Sequence, residues 1–295
     1  MKLHKKARLL YTWAFTNTKT TAAIDITNSC NLKCAHCYWW KEERPPELGD
    51  EAMVAFMKSL RSRGMTAAII YGGEPMLRPA MCEAASRIFD HPLIFTNGTQ
   101  GFASFDAQWI LSLDGTREVH DSIRGSGAYD CSVENLKKAP RKPVVHTTIT
   151  KQNCYSLGAF LEEISRLPIK GVGFSFYTPH ITGDNGSLAI PVAERDEILD
   201  ELLRLRKKYW RIMGLTGTMA DQFRQRGEYS QWNSIEKCPV SKVCNCYNAD
   251  GTPKPCTYGN NADCSRCGCA SIPVYRAAIK HLDPLALYMI YRMVN

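Results

Sequence analysis

The chain has 295 residues, 44% of them hydrophobic, and a formal net charge of +8. That length suits one large domain, or one domain with a small appendage, and the composition is ordinary for a globular protein with a substantial core. No apolar run is long enough to span a membrane, and no signal-peptide h-region follows the basic start (Lys2, Lys5, Lys6, Arg8), so a cytoplasmic protein is expected.

Positive charge can serve nucleic acid, an anionic membrane or a phosphorylated substrate. Outside the first fifteen residues no basic stripe with interleaved stacking aromatics is present. A solvated basic surface is the reading taken, and no nucleic-acid partner is expected. Residues 1–21 form an N-terminal arm in which Lys2, His4, Lys5, Lys6 and Arg8 run into Leu9, Leu10, Tyr11, Trp13 and Phe15. Such an arm packs across a barrel end or lies peripherally on an anionic membrane surface.

A regular rhythm begins at residue 22. A first strand is predicted over 22–27, and a loop follows with three thiols: Cys30, Cys34 and Cys37. Apolar spacing predicts a helix over 50–63, closed by Gly64, then a strand over 67–71 running into Gly72-Gly73-Glu74-Pro75. A helix over 79–89 precedes a strand over 93–96 and Asn97-Gly98-Thr99. A fourth strand over 109–113 ends at Asp114-Gly115. The fifth and sixth are predicted over 144–149 and 172–177, with a helix over 156–166 between them. Strands alternating with helices imply a parallel sheet with crossover helices. Six units imply a partial (β/α)6 TIM barrel.

In such barrels function sits on loops after the C-terminal ends of strands. The thiol triplet, the Gly-Gly-Glu-Pro loop, the Asn-Gly-Thr turn and Ser112-Leu113-Asp114-Gly115 all fall there. Their convergence carries more weight than any one of them. A helix over 194–212 has acidic first turns and basic last turns, which suits the helix dipole. The chain then loosens over 214–229. The expected division is therefore arm 1–21, barrel 22–212 and a small C-terminal cysteine-rich domain, 213–295. The apolar stretch 285–294 reads as a docking helix.

There are thirteen cysteines. Three lie at 30–37, seven crowd into 238–269, and Cys82, Cys131 and Cys154 are scattered as small apolar side chains. Thiolates are soft ligands for iron–sulfur clusters and zinc. Three thiols on a four-iron cubane leave one iron open to a non-protein ligand, whereas a structural zinc normally takes a fourth Cys or His. His36 stands too near Cys34 and Cys37 to chelate easily beside both.

With these residues in view, the chain resembles the radical S-adenosylmethionine (SAM) enzymes, whose hallmark Cys-x3-Cys-x2-Cys loop is matched by Cys30, Cys34 and Cys37. The resemblance covers residues 22–180. It implies that these three cysteines hold a [4Fe-4S] cluster whose open iron binds SAM, and that SAM is reductively cleaved to a 5′-deoxyadenosyl radical. Gly72, Gly73, Glu74 and Pro75 resemble the loop that binds the SAM amino group, with Glu74 and main-chain carbonyls as acceptors. Ser112, Asp114 and Arg124 resemble a second SAM-contacting segment, with Arg124 pairing with the SAM carboxylate. Asn97 is a further cofactor-contact candidate. An external electron donor of the flavodoxin or ferredoxin type is implied.

The tail resembles the SPASM and twitch auxiliary-cluster domains at Cys238, Gly251 and Cys256. After Cys264-x2-Cys267 the match fails, because Cys269 comes too soon. Two fully thiolate-bound cubanes need eight thiols and the tail has seven. At least one auxiliary [4Fe-4S] cluster is expected, on Cys238, Cys256, Cys264 and Cys267. Cys244, Cys246 and Cys269 are spare or complete a second, open cluster. A zinc ribbon is the alternative.

A looser resemblance joins Lys254-Pro255-Cys256 and Asp263–Cys267 to the hopanoid-type adenosyl-adding members. The expected function is therefore a radical SAM oxidoreductase or transferase acting on a small-molecule or lipid (isoprenoid) substrate. The alternatives are a peptide (RiPP) maturase of the SPASM type and a non-catalytic zinc or iron–sulfur module.

Overall fold

The computed structural model describes residues 19–182 and 187–293. The expected N-terminal arm lies outside the described residues up to residue 18. Six parallel strands follow in chain order: β1 (Thr21–Asp25), β2 (Ala67–Tyr71), β3 (His91–Thr96), β4 (Gln108–Ser112), β5 (Val144–Ile149) and β6 (Gly171–Phe176). Helices α1 (Asp50–Ser62), α2 (Pro79–Ile88), α3 (Arg117–Arg124), α4 (Ala128–Lys137) and α5 (Leu157–Ile164) fill the crossovers, except that a loop joins β3 to β4. This is the mixed α/β partial barrel the alternation implied.

Register explains the two faces of the sheet. Ile24 lies opposite Ile70, and Ile70 opposite Ile94. These residues, with Ala22, Ala68 and Trp109, are buried with Met53, Met57 and Leu60 of α1 and Cys82 and Ala85 of α2. Further along, Leu111, Val145 and Ile149 pack with Phe160, Leu161 and Ile164 of α5 and with Leu199 and Leu202 of α6 (Arg195–Lys208). The alternate residues Asp25, Ile69, Tyr71, Phe95, Ser112 and His146 line the concave side. A period of two thus divides β1, β2 and β4 into a packed face and a cavity face, whereas consecutive residues of β5 and β6 border the cavity.

Helix α6 stops at Lys208, four residues short of the predicted end. The chain then turns so that the Ile212 carbonyl accepts from the Val172 N–H (2.8 Å), beside the free edge of β6. A sheet-edge hydrogen bond replaces the last helical turn.

The tail does more than append. After α7 (Gly217–Asp221) and α8 (Val240–Val243), strand β7 (Cys244–Tyr247) pairs parallel with β1, with Thr21 opposite Cys244. Strand β8 (Pro253–Lys254) pairs antiparallel with β7. Among the described residues the sheet is eight-stranded, in the order β6-β5-β4-β3-β2-β1-β7-β8. Neither added strand is visible as a hydrophobic alternation, because β7 reads Cys-Asn-Cys-Tyr. Helix α9 (Ser271–Ile279) and the closing helix α10 (Pro284–Met293) form a small separate cluster with α7 through Met219, Ala277, Ala278 and Ala286, so the last helix docks on its neighbours. Among the described residues no helix is long and apolar enough to cross a membrane.

One ion pair ties the added strands to the barrel. Lys254 on β8 donates to Asp25 at the end of β1, and both side chains are 1% exposed. Losing one partner of a buried pair strands the other charge. Asp25→Leu alone should therefore cost about 3–5 kcal/mol, whereas Asp25→Leu with Lys254→Met should recover most of it. Urea unfolding of the metal-free protein measures both; equal losses for the single and double variants would contradict the pairing.

Candidate functional site

The thiol loop leaves the end of β1 and is held in shape by its surroundings. Glu47 accepts from the Asn28 N–H (2.5 Å) and the Thr27 hydroxyl (3.0 Å). Asn97 donates to Asn31 (3.0 Å), which in turn donates to Thr99 (2.8 Å). The Ala35 N–H donates to the Ile123 carbonyl (2.8 Å). The two tryptophans after the triplet strap it: Trp39 donates from its indole to the Asn28 carbonyl (2.9 Å), and Trp40 to the Cys34 carbonyl (3.0 Å). Arg44 covers the Trp39 ring, and Tyr38 stacks on His180 with centroids 4.0 Å apart.

Cys30, Cys34 and Cys37 all line one cavity of about 440 Å³. Burial, followed by the neighbouring Cys34, pushes the Cys37 thiol up to about 12, and burial also raises Cys30 and Cys34. One buried and two half-buried thiols in electrostatic contact repel as thiolates. They need a cation to ionise together.

The Gly-Gly-Glu-Pro loop runs directly beside this one. The Gly73 N–H donates to the Thr27 carbonyl (2.9 Å) and the Glu74 N–H to the Ser29 carbonyl (2.8 Å). A β-carbon on Gly73 would collide with the Ser29 carbonyl oxygen, so the close approach requires glycine. Glu74 itself is turned into the protein. Its carboxylate accepts from the Met76 N–H (2.9 Å), the Thr96 hydroxyl (2.7 Å) and the Asn97 N–H (2.7 Å), and it is 1% exposed. The resemblance implies an ammonium partner for this carboxylate; in the fold it binds the loop to the end of β3. Gly72, Gly73, Glu74 and Pro75 nevertheless all border the cavity, as do Asn97 and Ser112.

Asp114 is buried completely and does not border the cavity. One of its carboxylate oxygens accepts from Arg124 Nε (2.6 Å), the other from the Thr148 N–H (2.9 Å). Burial alone would raise this carboxyl, but Arg124 and then His36 outweigh it and hold it well below the usual carboxylate range. Arg124 also brings a terminal nitrogen to 3.8 Å from Cys34 Sγ and reaches the cavity. The expected contact residue Asp114 therefore aims Arg124. His120 Nδ1 accepts from the Asp114 N–H (3.2 Å), and its Nε2 is buried without a hydrogen bond among the described residues. Burial lowers His120 to about 4 and does the same to His36 and His146.

The tail brings its thiols together. Cys238 lies within electrostatic reach of Cys246, Cys264, Cys267 and Cys269, and so does Cys256. Cys244 and Cys246 share the cavity-side face of β7, and a hydrogen bond between them is the largest of the effects raising Cys246. Cys244 and Cys269 border the same cavity as the triplet. Gly268 passes so close to β6 that a β-carbon would strike the Phe176 carbonyl, and its own carbonyl accepts from the Phe176 N–H (3.0 Å). Among the described residues no three His, Cys, Asp or Glu side chains stand close enough to hold a single metal ion. Of the scattered cysteines, Cys82 and Cys154 are buried as expected, but Cys131 is exposed on α4.

Below this polar rim the cavity continues into the barrel. Ile69, Leu93, Ile110 and Val144 line its depth, and Leu215, Met219 and Val274 of the C-terminal segment face them. His146 interrupts the apolar wall through Ser175 (2.8 Å). Sequence reasoning missed Asp25, His146 and the Trp39–Trp40 strap. The aromatic run Tyr38-Trp39-Trp40 directly after the triplet was the only available signal.

The profile of the radical SAM superfamily matches residues 24–153, which include the triplet, the glycine loop, Ser112 and Arg124. The chain carries a radical SAM domain. It is 29% identical over 213 residues to the AdoMet-dependent heme synthase of Methanosarcina barkeri, covering 66% of this chain and 61% of that protein. It is 32% identical over 159 residues to the mycofactocin maturase MftC of Mycobacterium tuberculosis, covering 48% and 41%. The chain thus spans roughly half the length of the curated relatives it matches. In fold it is similar to SuiB of Streptococcus suis solved with S-adenosylmethionine, with a TM-score of 0.64 at 14% identity, over 97% of this chain and 71% of that one.

Radical SAM enzymes use a [4Fe-4S] cluster and SAM. The residues present suit such a group. Three thiols, one buried and two half-buried, face one cavity, a side-chain-free glycine ledge borders it, and a guanidinium reaches its rim.

The buried histidines make stability depend on pH. Each folded ring titrates near 4 against an ordinary value of 6.5, so stability is full above about 6.5 and declines as pH falls towards 4. Urea midpoints of the metal-free protein should fall over that range. His120→Gln should flatten the decline; an unchanged slope would show that His120 does not titrate as described.

Proposed function

We propose that this protein cleaves SAM at a cluster held by Cys30, Cys34 and Cys37 and uses the radical on a largely apolar small molecule or lipid seated in the barrel lumen. The observation that carries this is the single cavity running from the three thiols down to Ile69, Leu93, Ile110 and Val144. A reactive radical generated at the top of such a cavity meets an apolar substrate out of water. The bound cluster and SAM would supply the 5′-deoxyadenosyl radical.

The chain's own residues orient and enclose. Main-chain groups of Gly72, Gly73 and Pro75 receive the SAM amino group. Arg124, aimed by Asp114, takes the SAM carboxylate, and Asn97 and Ser112 border the same rim. Glu74 contributes by fastening the loop. Residues 22–212 carry this chemistry, and residues 213–295 close the cavity and hold at least one auxiliary cluster on Cys238, Cys256, Cys264 and Cys267. Cys244, Cys246 and Cys269 are the reserve ligands. A flavodoxin- or ferredoxin-type donor supplies the electron. The protein works in the cytoplasm, its N-terminal arm packing across a barrel end or lying peripherally on a membrane surface.

The relative named as a heme synthase supports a large apolar small molecule. The relative named as a mycofactocin maturase favours a second reading, peptide modification, in which an apolar side chain enters the same lumen.

Anaerobically reconstituted protein should be brown and hold roughly eight irons if two cubanes form. With dithionite and SAM it should release 5′-deoxyadenosine or an adenosylated product. Replacing Cys30, Cys34 and Cys37 by alanine should abolish this, whereas Cys256→Ala should leave uncoupled cleavage. Arg124→Gln should weaken SAM binding by about tenfold to a hundredfold, the loss of a charge-assisted hydrogen bond. A colourless protein containing only zinc would sink the proposal.

A further inference from the structure

We propose that Arg195 is the internal counter-ion of an iron–sulfur cluster bound at Cys267, and that its charge raises the reduction potential of that cluster. This rests on the reading that the C-terminal thiols hold an auxiliary cluster.

Arg195 stands at the start of α6 and is fully buried. Its two terminal nitrogens donate to the carbonyls of Cys267 (2.9 Å) and Arg266 (2.8 Å). The guanidinium lies against the rings of Phe176 (4.9 Å) and Tyr229 (5.2 Å). Its Nε is buried with no hydrogen bond among the described residues. The other deeply buried cations here have carboxylates: Arg124 has Asp114 and Lys254 has Asp25. Arg195 has none among the described residues, and the ionisable groups favouring its charge are Tyr229 and Cys267. An uncompensated cation in a protein interior is costly. Thiolates at Cys267 and its neighbours would supply the missing anion.

The surroundings keep that cation in place. The Tyr229 hydroxyl lies 2.9 Å from the Cys267 carbonyl and 3.1 Å from that of Ser265, and Trp232 packs edge-on against its ring. Arg195 and Tyr229 therefore grip the 265–267 backbone from the barrel side, while Gly268 seats the next residue on β6. A cluster held by four thiolates is anionic and gains one more negative charge on reduction. A fixed cation one peptide away stabilises the reduced form more than the oxidised one. Hydrogen bonds and charge near the sulfurs are recognised levers on cluster potential. Arg195 is thus a positioning residue with an electrostatic role.

The test uses the full chain, reconstituted anaerobically, with Cys30, Cys34 and Cys37 replaced by alanine so that the remaining spectrum belongs to the tail. Potentials are read by EPR-monitored redox titration. Arg195→Gln should lower the midpoint so that, at the parent's midpoint, the oxidised-to-reduced ratio rises about tenfold, a shift of about 59 mV for one electron. Arg195→Lys and Tyr229→Phe, which keep the charge, should shift it much less. A Gln midpoint equal to the parent's at full iron content, or a Lys shift as large as the Gln shift, would overturn the assignment. If Arg195→Gln cannot retain iron, retention by Arg195→Lys supports the charge and equal loss from both overturns it. A parent that binds no cluster in its tail refutes the underlying reading instead, and its iron content reveals this before any titration.

Discussion

Asp114 is the buried charge on which the rim of the cavity depends. It receives Arg124 from the end of α3 and the Thr148 backbone from the end of β5, with His36 of the thiol loop at 3.8 Å. Its own main chain is taken by His120 and Asn153. A carboxylate with no access to water must be fully satisfied, and here satisfying it joins the loops after β1, β4 and β5. The guanidinium that neutralises it is thereby fixed beside Cys34. One desolvated ion pair thus converts separate strand ends into a single rim.

The same economy recurs along the cavity. The Glu74 carboxylate takes one donor from its own loop and two from the end of β3, which welds the two together. Asp25 and Lys254 close the junction between the barrel and the added hairpin. Arg195 grips the cysteine-rich loop without a carboxylate. In a low-dielectric interior each of these charges needs a partner, and the partners come from distant parts of the chain.

The C-terminal segment also reads differently once folded. Its cysteines suggested an appended metal module, yet Cys244 and Cys246 lie on a strand beside β1, and Cys244 borders the lumen. The second group of thiols therefore opens on the same cavity as the first through Cys244 and Cys269.

By itself the sequence determined the partial barrel, because apolar residues recurring every two and every 3.6 positions report local structure directly. It also marked the thiol triplet, the glycine loop and Arg124, all of which border the cavity, since the spacing of residues within a loop survives in one dimension. Only the tertiary structure decided what the polar side chains do. Glu74 and Asp114 look like ligand contacts in the chain, but burial turns them into supports. His146, Asp25 and Arg195 carry no local signal; their roles arise from neighbours dozens to hundreds of residues away. Strand β7 escaped notice because its thiols mask the alternation, and β1 supplies the partner that makes it a strand. Periodicity is a property of neighbours in sequence, whereas the pairing of buried charges is a property of neighbours in space.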